Sequence, residues 1–272
     1  MIEGVLALGL AGLLGLMVGS FLNVVIHRLP LMLQARWNAE TTATSIETPS
    51  FNLAVPRSHC PQCQHALRWH ENIPLLSFIA LRGRCAHCRA QISWRYPAIE
   101  LITAGLFIGL MAKHGWGFEA LAWAGFSAAL VALAAIDADT RLLPDAITQP
   151  LVWAGLLASS VGLSGIGLNE SLWGAAGGYL FLWSVFWLFK AITGKEGMGQ
   201  GDFKLLAGLG AWLGWPALLT LVLMASLTGI LGGLILKWRG RLHENGELAF
   251  GPYLVLAGLW VMAFGTLPWF LI

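Results

Sequence analysis

The sequence predicts an all-α polytopic membrane protein, because charged residues are scarce and apolar runs of helical length recur along the chain. Of the 272 residues, 57% are hydrophobic and only 11% are charged. A soluble domain carries about a quarter charged residues, so the composition argues against a soluble enzyme. It also excludes a disordered chain, which would be poor in apolar residues. A net charge of +2 gives no indication of a nucleic-acid partner.

The apolar runs predict about eight transmembrane helices, since crossing a bilayer takes about 20 apolar residues. The second and sixth runs are short, and the sixth is compatible with a half-helix. No basic residue precedes the first run, which is also too long for a cleaved secretory signal. The runs cover residues 4–26, 98–112, 118–136, 147–164, 171–189, 203–214, 217–236 and 249–271.

Basic residues predict the orientation of these helices, because Lys and Arg accumulate in cytoplasmic loops. With the N-terminus placed in the periplasm, all of the 16 Lys and Arg residues except Lys113 fall on the inner side.

Small residues predict where helices approach closely: Gly15 and Gly19 lie on one stripe of the first helix, and Gly229 and Gly233 repeat the spacing in the seventh.

The polar stretch 28–97 is predicted to be a small cytoplasmic zinc-binding module between the first and second helices. All four cysteines lie here, in two CxxC motifs with zinc-ribbon spacing: Cys60, Cys63, Cys85 and Cys88. Four thiolates complete a tetrahedral shell and leave no open position for water, so a structural zinc is expected. His59, His65 and His87 are nearby alternative ligands.

Residues 38–54 are interpreted as a flexible lead-in, residues 1–27 as the first transmembrane helix and residues 98–272 as the transmembrane core.

Aspartates are few and are clustered at two predicted inner boundaries of the membrane. Asp137, Asp139 and Asp145 follow the third run, and Asp202 begins the sixth within Gly199–Lys204. A carboxylate near the hydrocarbon core of the bilayer is energetically unfavourable, so its presence indicates a functional site. Two neighbouring carboxylates can share one proton, so that one activates water while the other protonates the substrate, as in aspartic proteases.

Structural interpretations of these acids also remain open. Asp145 follows Pro144 and is suited to be a helix N-cap, and Asp139 is suited to be a solvated surface residue. Gly199 and Gly201 would allow the backbone to approach a substrate strand closely.

Several motifs together make the sequence similar to the bacterial type IV prepilin peptidases, which are aspartic peptidases of the GxGD type. The resemblance covers nearly the whole chain. Its motifs are residues 19–30, the Cys-Pro-x-Cys motif, residues 69–76, 82–85 and 95–97, the Ile136–Asp145 block and residues 194–204.

This resemblance implies a multi-pass enzyme of the bacterial inner membrane that removes the leader of prepilins and type II secretion pseudopilins at the cytoplasmic boundary. It also implies N-methylation of the new N-terminal residue with S-adenosylmethionine. The catalytic pair of the family maps onto Asp137 and Asp202, with Asp139 as the alternative to Asp137, and the zinc ligands map onto the four cysteines. No glycine-rich nucleotide loop is present, so the methyl-donor site is not identified; the Arg-rich stretch 28–100 is a candidate.

Two other classes of function are compatible with parts of the sequence. An ion- or proton-coupled transporter would use the same aspartates, with ionisable groups near the bilayer midplane and an inverted repeat. A membrane-anchored zinc scaffold would recruit a partner without catalysis. The acids lie at one edge of their spans and no repeat is evident, so the peptidase is favoured.

Overall fold

The computed structural model describes residues 2–42, 51–195, 197–240 and 248–266, and this part of the chain is helical without named strands. Every predicted apolar run coincides with a helix, which confirms the fold class. Short 3₁₀ turns lie at Trp69–Asn72 and Trp215–Ala217. The α-helices are α1 Ile2–Thr42, α2 Leu76–Ala80, α3 Arg95–His114, α4 Phe118–Thr140, α5 Asp145–Ser160, α6 Leu168–Thr193, α7 Gln200–Leu213, α8 Leu218–Trp238 and α9 Gly251–Phe264.

Not every helix is long enough to cross a bilayer. Among the described residues, α1, α3, α4, α6 and the segment Trp215–Trp238 reach the required length and hydropathy. Helices α5, α7 and α9 have only 16, 14 and 14 residues, fewer than the roughly 20 that a span normally takes. The residues 267–271 that end the last predicted run lie outside the described residues.

Helix α1 continues well beyond the first apolar run. It extends to Thr42 through Pro30, because residues 31–36 are mostly good helix formers such as Leu, Met, Gln, Ala and Arg. Residues 28–42, predicted to open the zinc module, are therefore helical. Of the predicted lead-in 38–54, residues 43–50 lie outside the described residues.

The chain divides into two compact units, Met1–Ala132 and Leu133–Ile272. In the first unit, α1 packs against α3 through the predicted small residues. A Cβ added to Gly15 would lie 2.6 Å from Ala104 Cα, and one added to Gly19 would lie 2.7 Å from Glu100 Cα. Only glycine allows backbones to approach this closely, so the prediction for Gly15 and Gly19 is confirmed.

In the second unit, the short helix α7 is enclosed by its neighbours, and ten of its 14 residues are buried. Gly174 of α6 and Gly210 of α7 touch backbone to backbone. Two side chains bond to backbone carbonyls across the packed helices: Trp212 Nε1 donates to Leu151 O at 2.9 Å, and Ser171 Oγ donates to Ala211 O at 2.6 Å. A helix enclosed in this way need not span the bilayer, which accounts for its length.

The glycine pattern predicted in α8 is wrong in detail. A Cβ on Gly229 or Gly233 would meet its nearest neighbour at 3.6 or 3.7 Å, which is ordinary van der Waals contact. The close approach in this helix occurs at Gly232, against the Tyr253 side chain of α9. Gly229 also meets Tyr253, but only at ordinary van der Waals distance, so the Gly-x-x-x-Gly spacing does not mark the closest contact of α8, which lies at Gly232.

Candidate active site and metal centre

Asp137 lies in the last turn of α4, and its carboxylate is almost completely buried, with 5% of the residue exposed. Its Oδ2 accepts a hydrogen bond from the backbone N–H of Gly251 at 3.0 Å. Gly251 is the first residue of α9, where unpaired N–H groups and the positive end of the helix dipole favour an anion. A side chain at Gly251 would collide with the carboxylate, because an added Cβ would lie 2.6 Å from Oδ2.

Asp202 is the third residue of α7, and it is 7% exposed. Its position in the first helical turn again sets a carboxylate beside a helix N-terminus. Among the described residues, its buried Oδ1 has no hydrogen-bond partner. A buried carboxylate oxygen without a partner is unfavourable in a resting structure, so this atom is available to a substrate or a water molecule.

The two buried carboxylates belong to the same unit, Leu133–Ile272. They come from helix ends that are 65 residues apart in sequence (202 − 137). Two such groups in a buried site are suited to share one proton, which is the requirement for general acid–base hydrolysis. Their placement at helix ends also differs from the mid-span acids expected of a transporter.

The remaining two aspartates occupy different environments. Asp139 is exposed at the end of α4, in agreement with the expectation of a solvated residue. Asp145 is not an N-cap as predicted: α5 begins at Asp145 itself, Pro144 holds the cap position, and no side-chain cap bond forms. Asp145 instead pairs with Lys204 Nζ at 2.6 and 2.8 Å.

The two glycines of the Gly199-Gln-Gly-Asp motif have different surroundings. A Cβ at Gly201 would lie 2.7 Å from Leu143 Cβ, so that the chain itself fills the space beside this glycine. A Cβ at Gly199 would meet only Asp202 Oδ2, at 3.7 Å. The small size of Gly201 therefore accommodates Leu143 of the loop after α4, and the approach of a substrate strand to these glycines stays a prediction.

The four cysteines converge as predicted. Their Sγ atoms all lie within 4.8 Å of one another. Cys60 Sγ is 3.8 Å from Cys88 Sγ, and Cys63 Sγ is 3.9 Å from Cys85 Sγ. A tetrahedral zinc with Zn–S bonds of about 2.3 Å separates its sulfurs by about 3.8 Å, so the thiol geometry fits this ion. The cluster needs no ligand from His59, His65 or His87.

Each CxxC motif forms the same turn, so that the centre has an internal pseudo-twofold pattern. Cys60 N donates to His65 O at 3.0 Å, and Cys85 N donates to Ala90 O at 2.8 Å. The residue after each second cysteine has a positive φ, 58° at Gln64 and 63° at Arg89. Backbone N–H groups thereby turn inward toward the sulfurs.

These amides also favour the thiolate form that a metal requires. The backbone N–H groups of Cys63 and Gln62 lower the pKa of the Cys60 thiol to about 7. Those of Cys88 and His87 likewise lower the pKa of Cys85, and His87 N lies 3.4 Å from Cys85 Sγ. The turns are therefore preorganised for metal binding.

Sequence reasoning missed Gly251 and Lys204 as parts of the aspartate site. Gly251-Pro252 is a recognisable helix start, because proline is tolerated in the first helical turn. No local signal, however, indicates that this turn contacts Asp137, 114 residues earlier in the chain. Lys204 and Asp145 are 59 residues apart in sequence, and no motif spacing indicates that they form an ion pair.

Comparison with known proteins identifies the family. Residues 13–114 match the Bacterial Peptidase A24 N-terminal domain, and residues 124–234 match the Type IV leader peptidase family. No solved structure matches the chain.

Several curated proteins named prepilin leader peptidase/N-methyltransferase are similar over most of their length. The Burkholderia pseudomallei protein is 50% identical over 272 residues, which cover 97% of this chain and 87% of that protein. The Aeromonas hydrophila protein is 50% identical over 260 residues, covering 92% and 87%. The Pseudomonas aeruginosa protein is 50% identical over 255 residues, with the same two shares. On this similarity and on the two family matches, the chain belongs to the type IV leader peptidase family.

Proposed function

We propose that this chain is a prepilin leader peptidase that also N-methylates its product. It removes the leader of type IV prepilins and then methylates the new N-terminal residue; the pseudopilins of type II secretion are further substrates. Family membership and the shared name of the relatives support both activities. In the structure, the observation that carries the proposal is the burial of two carboxylates, Asp137 and Asp202, at helix ends of the same unit.

In this proposal the two aspartates perform the hydrolysis with one shared proton. One carboxylate takes a proton from water, and the resulting hydroxide adds to the peptide carbonyl at the end of the leader. The other, protonated carboxyl group donates its proton to the carbonyl oxygen. As the tetrahedral intermediate collapses, the first carboxyl group gives the proton that it took from water to the departing nitrogen, and the second takes its proton back from the diol hydroxyl. The C–N bond breaks, leaving a carboxyl group on the leader and a free amine on the pilin.

Gly251 and Lys204 have supporting roles in this chemistry. The Gly251 N–H holds one oxygen of Asp137 in place, so the other remains available to water or substrate. The Lys204–Asp145 pair ties α7 to the start of α5 and thereby fixes Asp202, two residues before the lysine. Asp139, being exposed, is not assigned to the catalytic pair.

S-adenosylmethionine is the methyl donor of the second activity. When bound, it supplies a methyl group to the uncharged amine and leaves as S-adenosylhomocysteine, while the amine gives up one proton. This assignment is supported by the methyltransferase name of the relatives.

Zinc is assigned to Cys60, Cys63, Cys85 and Cys88 as a structural ion, on the strength of the thiol distances. The zinc-binding module is assigned to residues 28–97 and the peptidase core to residues 98–272. The enzyme is a multi-pass inner-membrane protein with a periplasmic N-terminus, and cleavage occurs at the cytoplasmic boundary, as the distribution of Lys and Arg indicates.

Mass spectrometry of a prepilin incubated with the purified enzyme and S-adenosylmethionine tests both activities. Loss of the leader together with a methyl-sized gain on the new N-terminus is the expected result. Leader loss without methylation would remove the second activity from this chain. An intact prepilin, beside a working control enzyme, would leave the transporter as the alternative.

A further inference from the structure

The short helix α2 exposes an apolar face. Leu76 and Ile79 are 64% and 61% exposed, and because they lie three residues apart they share one side of the helix. Trp94, just before α3, is 76% exposed, although its indole packs against Phe78 of α2 with ring centroids 4.9 Å apart. Leu76, Ile79 and Trp94 together form what we call the α2 patch. A group of exposed large apolar side chains indicates a surface that something else covers.

A buried glutamate ties the start of α2 to the first turns of α3. The Oε2 atom of Glu100 accepts a hydrogen bond at 2.8 Å from the backbone N–H of Leu75, the residue before α2. Glu100 is the sixth residue of α3. Because each helical residue rises by about 1.5 Å, it lies only about 8 Å along the axis from Arg95, where the helix begins. α2 is therefore held beside the N-terminal turns of α3.

These turns of α3 lie at a boundary of the membrane. The helix Arg95–His114 has the length and hydropathy of a membrane span, and its 20 residues rise by about 30 Å, the thickness of the hydrocarbon core. Tyr96 is exposed at its start, as is typical of aromatic residues at the membrane–water interface. Leu101 and Ile102 are exposed further along the span, as lipid-facing residues are. The α2 patch therefore lies at the level where the lipid headgroups begin.

The sequence around the patch is positively charged. Residues 72–99 contain four arginines and no aspartate or glutamate. Three of these arginines, Arg82, Arg84 and Arg89, are exposed, and their guanidinium groups form no ion pair or hydrogen bond with any residue that the structure describes. Arg82 and Arg84 follow the end of α2 by two and four residues. Cationic and apolar side chains thus lie together, which suits a surface that is negatively charged outside and apolar beneath.

We propose that the α2 patch and the arginines that follow it bind the anionic phospholipid surface of the cytoplasmic leaflet. The inference goes beyond the proposed function and rests only on the proposed orientation, in which α3 begins on the cytoplasmic side. The apolar side chains of the patch enter the boundary between headgroups and acyl chains, as those of interfacial helices do. The guanidinium groups of Arg82 and Arg84 bind lipid phosphates through charge-assisted hydrogen bonds. The Glu100 bond to Leu75 holds α2 at the depth that this contact requires.

The first test uses the full-length enzyme with a photo-cross-linking residue on the patch, Ile79→p-benzoylphenylalanine. The protein is reconstituted in nanodiscs of phosphatidylglycerol or of phosphatidylcholine, and after irradiation mass spectrometry measures the fraction that carries a lipid. We expect a lipid adduct in phosphatidylglycerol and a fraction about threefold smaller in phosphatidylcholine, because the neutral headgroup does not attract the arginines. Leu76→p-benzoylphenylalanine repeats the measurement on the same face of α2. Cross-links to another part of the protein instead of lipid would overturn the proposal.

An internal standard separates this docking from the membrane placement of α3. Ile102→p-benzoylphenylalanine lies on the exposed side of the span, and we expect it to cross-link equally to both lipids. Lipid adducts at position 102 but at neither patch position would reject the docking and leave the span in place. The absence of adducts at position 102 as well would contradict the span itself, and the inference would fail with it.

The contribution of charge is measured in the protein that carries the cross-linker at position 79. Arg84→Gln should lower the adduct fraction in phosphatidylglycerol about twofold, and Arg82→Gln/Arg84→Gln should lower it to the level in phosphatidylcholine. Lys113→Gln is the matched control, because it removes one positive charge at the opposite end of α3, and it should leave the fraction unchanged.

Salt tests the same charge effect without the arginine substitutions. Raising the salt concentration to about 1 M shortens the Debye length to about 3 Å, so the adduct fraction in phosphatidylglycerol should fall toward that in phosphatidylcholine. Equal adduct fractions in the two lipids, or equal effects of Arg84→Gln and Lys113→Gln, would show that the patch does not recognise an anionic surface.

Discussion

Lys204 Nζ lies 2.6 and 2.8 Å from the two carboxylate oxygens of Asp145, so that one ammonium group joins the two aspartate motifs of the chain. Lys204 follows Asp202 by two residues, and Asp145 follows Asp137 by eight. The pair connects the fifth residue of α7 to the first residue of α5. It therefore links the helix that carries Asp202 to the helix that follows the Asp137 motif.

Breaking this ion pair should affect catalysis more than stability. Asp145 has 55% of its side chain exposed and Lys204 29%, and exposed ion pairs contribute less than about 1 kcal/mol. Lys204→Gln should therefore change the free energy of unfolding little, but lower kcat for leader cleavage roughly tenfold by displacing Asp202. Cleavage kinetics and thermal unfolding measure the two effects. The exchange variant Asp145→Lys/Lys204→Asp should recover part of the rate; no recovery would mean that the pair does not position Asp202.

Replacing the buried aspartates with asparagine should separate catalysis from structure. Asp137→Asn and Asp202→Asn keep the side-chain volume but remove the shared proton, so each should lower cleavage by about 100-fold or more while the protein still folds and inserts. Asp139→Asn is the matched control, because Asp139 is an exposed neighbour on the same helix end. Leader loss is followed by mass spectrometry. Substantial turnover by Asp202→Asn, or a loss of activity in Asp139→Asn, would change the assigned pair.

Gly251 should tolerate no side chain, because an added Cβ would lie 2.6 Å from Asp137 Oδ2. Gly251→Ala is expected to displace the carboxylate and to lower kcat for cleavage. The control is Gly233→Ala, at a glycine of α8 whose added Cβ would meet its nearest atom at 3.7 Å. Comparison of the two cleavage rates, at equal protein yield, isolates the contact with Asp137. Equal rates would show that Gly251 does not position the carboxylate.

The sequence predicts the helices and the metal centre well because both depend on local patterns. Runs of apolar residues directly indicate segments that are buried in lipid or protein, and each predicted run coincides with a helix of the structure. Each CxxC motif forms a local turn of its own, and the four cysteine sulfurs lie together in the predicted cluster. The closely packed α1–α3 pair was also predictable, since Gly15 and Gly19 form a stripe of small residues.

The contacts between distant helices were not predictable in the same way. The sequence of α7 is compatible with a short span or a half-helix. Only the burial of α7 among its neighbours explains why a helix of 14 residues is long enough for its position. The closest approach of α8 to Tyr253 is at Gly232 rather than at Gly229 or Gly233, because the rotation of α8 about its axis is set by its partner. The support of Asp137 by Gly251 likewise depends on tertiary packing, which no spacing rule encodes.

The cysteine cluster should act on folding rather than on the chemistry of cleavage. Cys60→Ser should lower the bound zinc and the yield of folded protein, because binding of a structural zinc contributes directly to the free energy of folding. Zinc content by elemental mass spectrometry and thermal unfolding measure both effects. His87→Asn is the control, since His87 is exposed and four thiols complete the shell without it. The folded fraction of Cys60→Ser should cleave at nearly the normal rate per molecule, because all four ligands lie outside the unit that contains both aspartates. Normal yield with neither metal nor activity would instead mean that the ion takes part in the reaction.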